Sequence, residues 1–205
     1  MNIDELLKAN QRWIKGKLIG DEEFFKKQAD SLHPQLMWII CSDSVMRANE
    51  VTQTKDSENL VHRNMGNLVV PTDENLLSVV HYAVNVLEIE HIIICGHYGC
   101  KGVSASLNHQ DVSYLDHWLK NIKEVYVNAL TDLEKIEDVD KRMEKLVELN
   151  VMESVNNLSN ISVIQNKWKN RQTPFIHGWT FRPTNGQLMD LEISKSGKEA
   201  PITEE

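Results

Sequence analysis

The chain has 205 residues, 41% of them hydrophobic, and a formal net charge of −8 at pH 7. That length suits one domain with a real core, and the acidic balance argues against a nucleic-acid partner, whose phosphates need clustered Lys and Arg. No apolar run approaches the roughly 20 residues of a membrane span. The opening "MNIDELLKANQRW" has neither the apolar stretch of a signal peptide nor the Arg-rich, acid-poor character of a transit peptide, so a cytoplasmic protein is expected. Cys41, Cys95 and Cys100 are an odd set for disulfides there, and read as core thiols, reactive thiols or metal ligands.

In chain order, the first segment, to about Asp30, predicts two helices, with Leu6, Leu7, Trp13 and Ile14 on one face and Phe24 and Phe25 in the second. Pro34 breaks the pattern, and "QLMWIIC" follows as a nearly continuous apolar run, as expected of a strand covered on both faces. "ENLVH" is a second candidate strand. Thr72 or Asp73 can N-cap the helix "DENLLSVVHYAVNVLEIE", whose apolar side is Leu76, Val79, Val80, Ala83 and Leu87. "HIIICGH" is another buried run. The stretch from Val112 to about Asn170 is helical in pattern, with a charged break near "EKIEDVDK". "PFIHGWTF" and "QLMDLEIS" read as two strands joined through an Asn185-Gly186 turn. The polar tail, 195–205, is expected to be flexible. Strands alternating with helices predict one α/β domain over 1–205, a mainly parallel sheet flanked by helices, with an N-terminal helical arm.

In such sheets ligands sit beyond the carboxyl ends of strands. One strand runs into Cys41-Ser42-Asp43 and another into Gly96-His97-Tyr98-Gly99-Cys100. If the two are neighbours, Cys41, His97 and Cys100 converge. Two thiolates and an imidazole suit zinc, and Asp43 can be a fourth ligand or stand back and leave a position for water. Free cysteine is also among the residue types most often buried, so Cys41 is equally readable as core. Cys95, inside its apolar run, reads as a core thiol. His62 and His177 end strand-like runs and read as core. His33, His81, His91, His109 and His117 read as surface or helix positions. Trp13, Trp38, Trp118, Trp168 and Trp179 read as core or interface residues.

The segments "CSDS", "LVHRNMGNLV", "LSVVHYAVNVLEIEHIIICGHYGC" and "HGW" together resemble the β-class carbonic anhydrases, in their bacterial and fungal-type branch. The resemblance implies four parallel strands with further strands at the edge. It implies N-terminal helices, 1–31, that pack on a partner subunit, and a dimer often paired into a tetramer. It implies zinc on Cys41, His97 and Cys100, with Asp43 as fourth ligand or as partner of a zinc-bound hydroxide. The implied reaction is CO2 and water to bicarbonate and a proton. Some members also bind bicarbonate at a regulatory site, whose tryptophan and arginine match Trp38 and Arg63. Here Ile40 replaces the usual glycine and Phe181 the usual tyrosine of that site.

Three positions depart from the family pattern. The motif normally reads Cys-x-Asp-x-Arg, with the arginine holding the aspartate off the zinc; this chain has Val45. Leu32 stands where a substrate-facing glutamine is common, and Lys101 follows the second zinc cysteine in place of glycine. An unclamped Asp43 is expected to ligate zinc and close the site, unless Arg47 or Lys101 supplies the missing charge. Three functions follow: CO2 hydration, a zinc-binding relative with weakened catalysis, or hydrolysis of a CO2-like molecule such as carbon disulfide or carbonyl sulfide.

Overall fold

The computed structural model describes residues 2–30, 33–107 and 113–197. Leu32, His109 and the end of the tail lie outside them. The chain divides into two units, 1–33 and 34–205.

The first unit holds α1 (Ile3–Gly20) and α2 (Phe24–Asp30). Asn2 caps α1 by accepting from the Asp4 N–H, which satisfies one of the donors a helix start leaves over. Trp13 meets Phe25 edge-on at 5.1 Å, and the Lys17 ammonium lies 4.8 Å over Phe24. No residue of either helix is buried, and Ile3, Leu7 and Ile19 face solvent, Ile19 at 88%.

The second unit is built on a sheet that, among the described residues, has five strands in the order β2-β1-β3-β4-β5. They are β1 (Leu36–Cys41), β2 (Asn59–Asn64), β3 (His91–His97), β4 (Phe175–Arg182) and β5 (Gln187–Lys195). The first four are parallel, as the resemblance implied, and β5 pairs antiparallel with β4 at the edge. The chain goes from β1 outward to β2, then back past β1 to β3. The carboxyl ends of β1 and β3 therefore flank the point where strand order reverses, where α/β sheets bind ligands.

Helices α3 (Ala48–Thr52), α4 (Glu74–Asn85) and α5 (Lys101–Leu107) link the strands. After them come α6 (Ser113–Asn128), α7 (Leu130–Leu133), α8 (Val139–Asn160) and α9 (Ser162–Trp168). The charged break falls where expected, and Asp138 caps α8 by accepting from the Asp140 and Lys141 N–H groups. Asp73, not Thr72, caps α4. That helix stops at Asn85, short of the predicted Glu90. Ile89 has to be buried and β3 begins at His91, so the chain reverses through Glu88 at φ 52°.

One face of the sheet, with Met37, Ile39, Ile92, Ile94 and Ile176, packs on α4, α8 and α9 through Val80, Val151, Val155, Leu158 and Ile164. Gly96 and Gly178 let α8 come close. A Cβ on Gly96 would stand 2.7 Å from a Val151 methyl and 2.9 Å from one of Val147. The other face carries Trp38, Ile40, Ile93, Cys95 and Phe181. His91 opens β3 rather than lying on a helix or the open surface, because its ring stacks on Phe175 and meets the His177 ring nitrogen at 3.1 Å. Among the described residues no helix is long and apolar enough to cross a membrane.

Candidate metal centre

Cys41 is the last residue of β1, and its strand pairing with Asn64 of β2 places it at the sheet's carboxyl edge. The chain then turns through Ser42 and Asp43, with Ser42 N–H donating to the Asn64 carbonyl at 2.9 Å and Ser44 N–H to the Cys41 carbonyl at 3.2 Å. On the neighbouring strand, His97 ends β3, and a turn through Gly99 (φ 75°) brings Cys100 back to the same edge. Glycine meets that left-handed conformation at no steric cost.

The donor atoms of Cys41, Asp43, His97 and Cys100 all lie within 4.8 Å of one another. The Cys41 and Cys100 sulfurs are 3.6 Å apart. Two thiolates on one tetrahedral zinc would stand roughly 3.7 Å apart, given Zn–S near 2.3 Å, so the pair fits that ion as it stands. Asp43 Oδ1 is 2.7 Å from Cys41 Sγ and 2.8 Å from His97 Nε2. The set of two sulfurs, one imidazole and one carboxylate is the borderline-soft donor chemistry zinc takes.

Electrostatics of the cluster follow from its hydrogen bonds. The Cys41 and Cys100 sulfurs share a hydrogen bond, and this contact together with His97 lowers the Cys41 thiol to about 5 despite burial. Cys100, bonded to Cys41 and itself buried, is pushed up. For Asp43, burial works to raise the pKa, but the bonds from Cys41 and from the Lys101 N–H outweigh it and leave it lowered. Burial likewise works to lower His97, and the facing Cys41 and Asp43 raise it on balance. Each charged group of the cluster is thus stabilised by another member. Cys95 shows the contrast: it packs among Trp38, Ile40, Ile93 and Phe181, and burial alone pushes it up to about 12.

Two backbone donors complete the site, and side-chain reasoning found neither. The Lys101 N–H donates to Asp43 Oδ2 at 3.0 Å, so this position meets the carboxylate through its backbone. The Gly66 N–H donates to Cys41 Sγ at 3.1 Å. Gly66 has φ 81°, and a Cβ there would stand 2.9 Å from Ile122. No side-chain pattern marks either donor, although a bare glycine such as Gly66 is where a backbone can come close.

The remaining predicted positions fall around the cluster. Val45 points outward and is 75% exposed. Arg47 is exposed, and its guanidinium pairs with Glu50 at 2.9 Å. Trp38 is fully buried and donates its indole N–H to Asn59 Oδ1 at 2.9 Å. Arg63 donates Nη1 to the carbonyls of Cys41 (3.0 Å) and Ser44 (3.1 Å), and Nη2 to that of Met46.

Comparison with known proteins bears on this arrangement. Residues 36–188 match the family model described as carbonic anhydrase. A carbonic anhydrase of Emericella nidulans is 40% identical over 97% of this chain and 87% of its own length. A structure of tetrameric β-carbonic anhydrases from Sordaria macrospora superposes with a TM-score of 0.86 at 32% identity, covering 94% of this chain and 98% of that one. The Coccomyxa β-carbonic anhydrase in complex with acetazolamide gives 0.86 at 31%, covering 96% and 89%. With the fold, the matched span and this degree of identity in agreement, the chain belongs to the β-class carbonic anhydrase family and is a carbonic anhydrase, a lyase.

Proposed function

We propose that this chain catalyses the reversible hydration of CO2 to bicarbonate and a proton, with zinc held by Cys41, His97 and Cys100. The observation that carries the reading is the convergence of these three donors with Asp43 at the strand-order reversal. When bound there, zinc would supply the Lewis acidity that brings the pKa of a coordinated water toward about 7. The chain's own residues do the rest. Asp43, kept ionised by its hydrogen bonds, is the acceptor for the hydrogen of the attacking water and so orients its lone pair toward CO2. The Lys101 N–H fixes the second carboxylate oxygen and with it the direction of the first. The substrate is small and apolar, and needs little further recognition.

We read Val45 as a loss of the arginine that the family sets against its aspartate. Arg47 is engaged with Glu50, and no guanidinium hydrogen-bonds the Asp43 carboxylate among the described residues. Oδ1 already lies among the donor atoms. Asp43 would therefore help hold zinc near neutral pH, and would be free to accept the water's hydrogen only as pH rises. The test is zinc content by atomic absorption together with stopped-flow CO2 hydration, from neutral to alkaline pH. Wild type should hold one zinc per chain and gain activity with pH, and Cys41→Ser should hold little zinc. Zinc-loaded protein that is inactive at every pH would overturn the enzymatic reading in favour of a weakened, zinc-binding relative. High activity already at neutral pH would overturn the closed site.

Self-association into a dimer or tetramer is part of the same reading. It is supported by the unburied apolar side chains of α1 and by the tetrameric Sordaria relatives. A cytoplasmic location is proposed with it.

A further inference from the structure

We propose that Arg63 is a positioning residue for the metal centre: it grips the backbone of the Cys41–Met46 turn and thereby sets where the Asp43 carboxylate stands. The proposal rests on the reading that this cluster holds zinc. Its basis is the three hydrogen bonds. Nη1 bridges the carbonyls of Cys41 and Ser44, the two ends of the turn that carries Asp43. Nη2 reaches the Met46 carbonyl one step further along. Apart from the contacts of the Asp43 carboxylate itself, the turn's other bonds among the described residues are Ser42 N–H to the Asn64 carbonyl, Ser44 N–H to the Cys41 carbonyl, and Met46 N–H to Ser44 Oγ at 3.3 Å.

A planar guanidinium bonded to three acceptors fixes their relative orientation as well as their distance. The grip comes from β2, which is hydrogen-bonded to β1 along its whole length, Ile40 opposite Arg63. Arg63 is thus anchored to the same sheet that carries Cys41. Where the family's arginine would hold the aspartate by its side chain, this chain holds the backbone on either side of the aspartate, at Cys41 and Ser44, from the neighbouring strand. The same contacts speak against an anion-binding role. Nη1 is committed to two carbonyls and Nη2 to a third, and the Trp38 indole is committed to Asn59.

The test is a double-mutant cycle on zinc-loaded full-length protein, read as the rate at which zinc passes to an excess of a chelating dye. Groups that orient ligands from behind commonly change metal affinity by about 10–100-fold, so Arg63→Gln should release zinc about tenfold faster or more. Arg63→Lys should recover only part of this, because a single ammonium cannot span three carbonyls. In an Asp43→Asn background the effect of Arg63→Gln should shrink to within about twofold, since coupled sites are not additive. An equal fold-change in both backgrounds would show a merely structural role and overturn the proposal. So would zinc release like that of wild type, with or without a loss of sensitivity to added bicarbonate. Should Arg63→Gln not fold, Arg63→Lys completes the cycle under the same criterion. CO2 hydration is not read at any step. A chain that cycles as expected yet hydrates no CO2 refutes the catalytic reading alone.

Discussion

Gly96→Ala tests the packing that brings β3, and with it His97, under α8. The added methyl would lie 2.7 Å from Val151 Cγ2 and 2.9 Å from Val147 Cγ1. Ordinary carbon contacts run near 3.5–4.0 Å, so the overlap approaches about 1 Å on two sides. Both valines are buried and β-branched, and neither can swing its methyl away freely. Overpacking of this kind costs about 1–3 kcal/mol, and two simultaneous clashes place this case near the upper end. For a chain of this size each kcal/mol shifts Tm by about 2–4 °C, so the variant should melt about 4–12 °C lower. The assay is thermal unfolding at fixed protein concentration, with Gly186→Ala as control. Gly186 has φ 73° and open space around it, so that change carries only the strain of a left-handed alanine, about 1–2 kcal/mol. Val151→Ala should partly rescue Gly96→Ala beyond additivity, because the nearer clashing methyl is gone. A Gly96→Ala protein that melts within about 1 °C of wild type would refute the account of how α8 packs on the sheet.

Two further changes probe other parts of the molecule. His62 is buried with no partner for its Nε2 among the described residues, and burial lowers its pKa, with Asp73 opposing. Its folded value lies below the unfolded one, so protons bind the unfolded chain more readily, and stability should fall as pH drops below about 6.5. His62→Phe should reduce that slope in urea titrations at several pH values while leaving stability at neutral pH about the same or higher; an unchanged slope would count against His62 as the source. On α1, Leu7→Glu with Ile19→Glu should lower the assembled mass measured by light scattering, since both side chains are exposed in the isolated chain. An unchanged mass would exclude this face from the contact between copies.

Much of the fold was legible in the sequence because its signals are local. The runs "QLMWIIC" and "HIIICGH" are apolar without alternation, as strands covered on both sides must be, and both became central strands. The Asn185-Gly186 turn and the capping Asp73 are likewise written in single residues. Cys41, Asp43, His97 and Cys100 could be named because they stand at or just past the ends of those two runs, and adjacency of the strands, with the turn at Gly99, brings them together. Other features were not local. The end of α4 was set by the need to bury Ile89 and start β3, against a helical pattern that continued to Glu90. The donors to Asp43 and Cys41 from Lys101 and Gly66 are backbone N–H groups, which every residue but proline has, so no side-chain pattern announces them. The hold of Arg63 on three carbonyls depends on β2 lying beside β1 in one register. The sequence determined which side chains could bind the metal, since that is a matter of their chemistry. Only the tertiary structure decided what fixes them, because backbone hydrogen bonds across strands exist only once the strands have met.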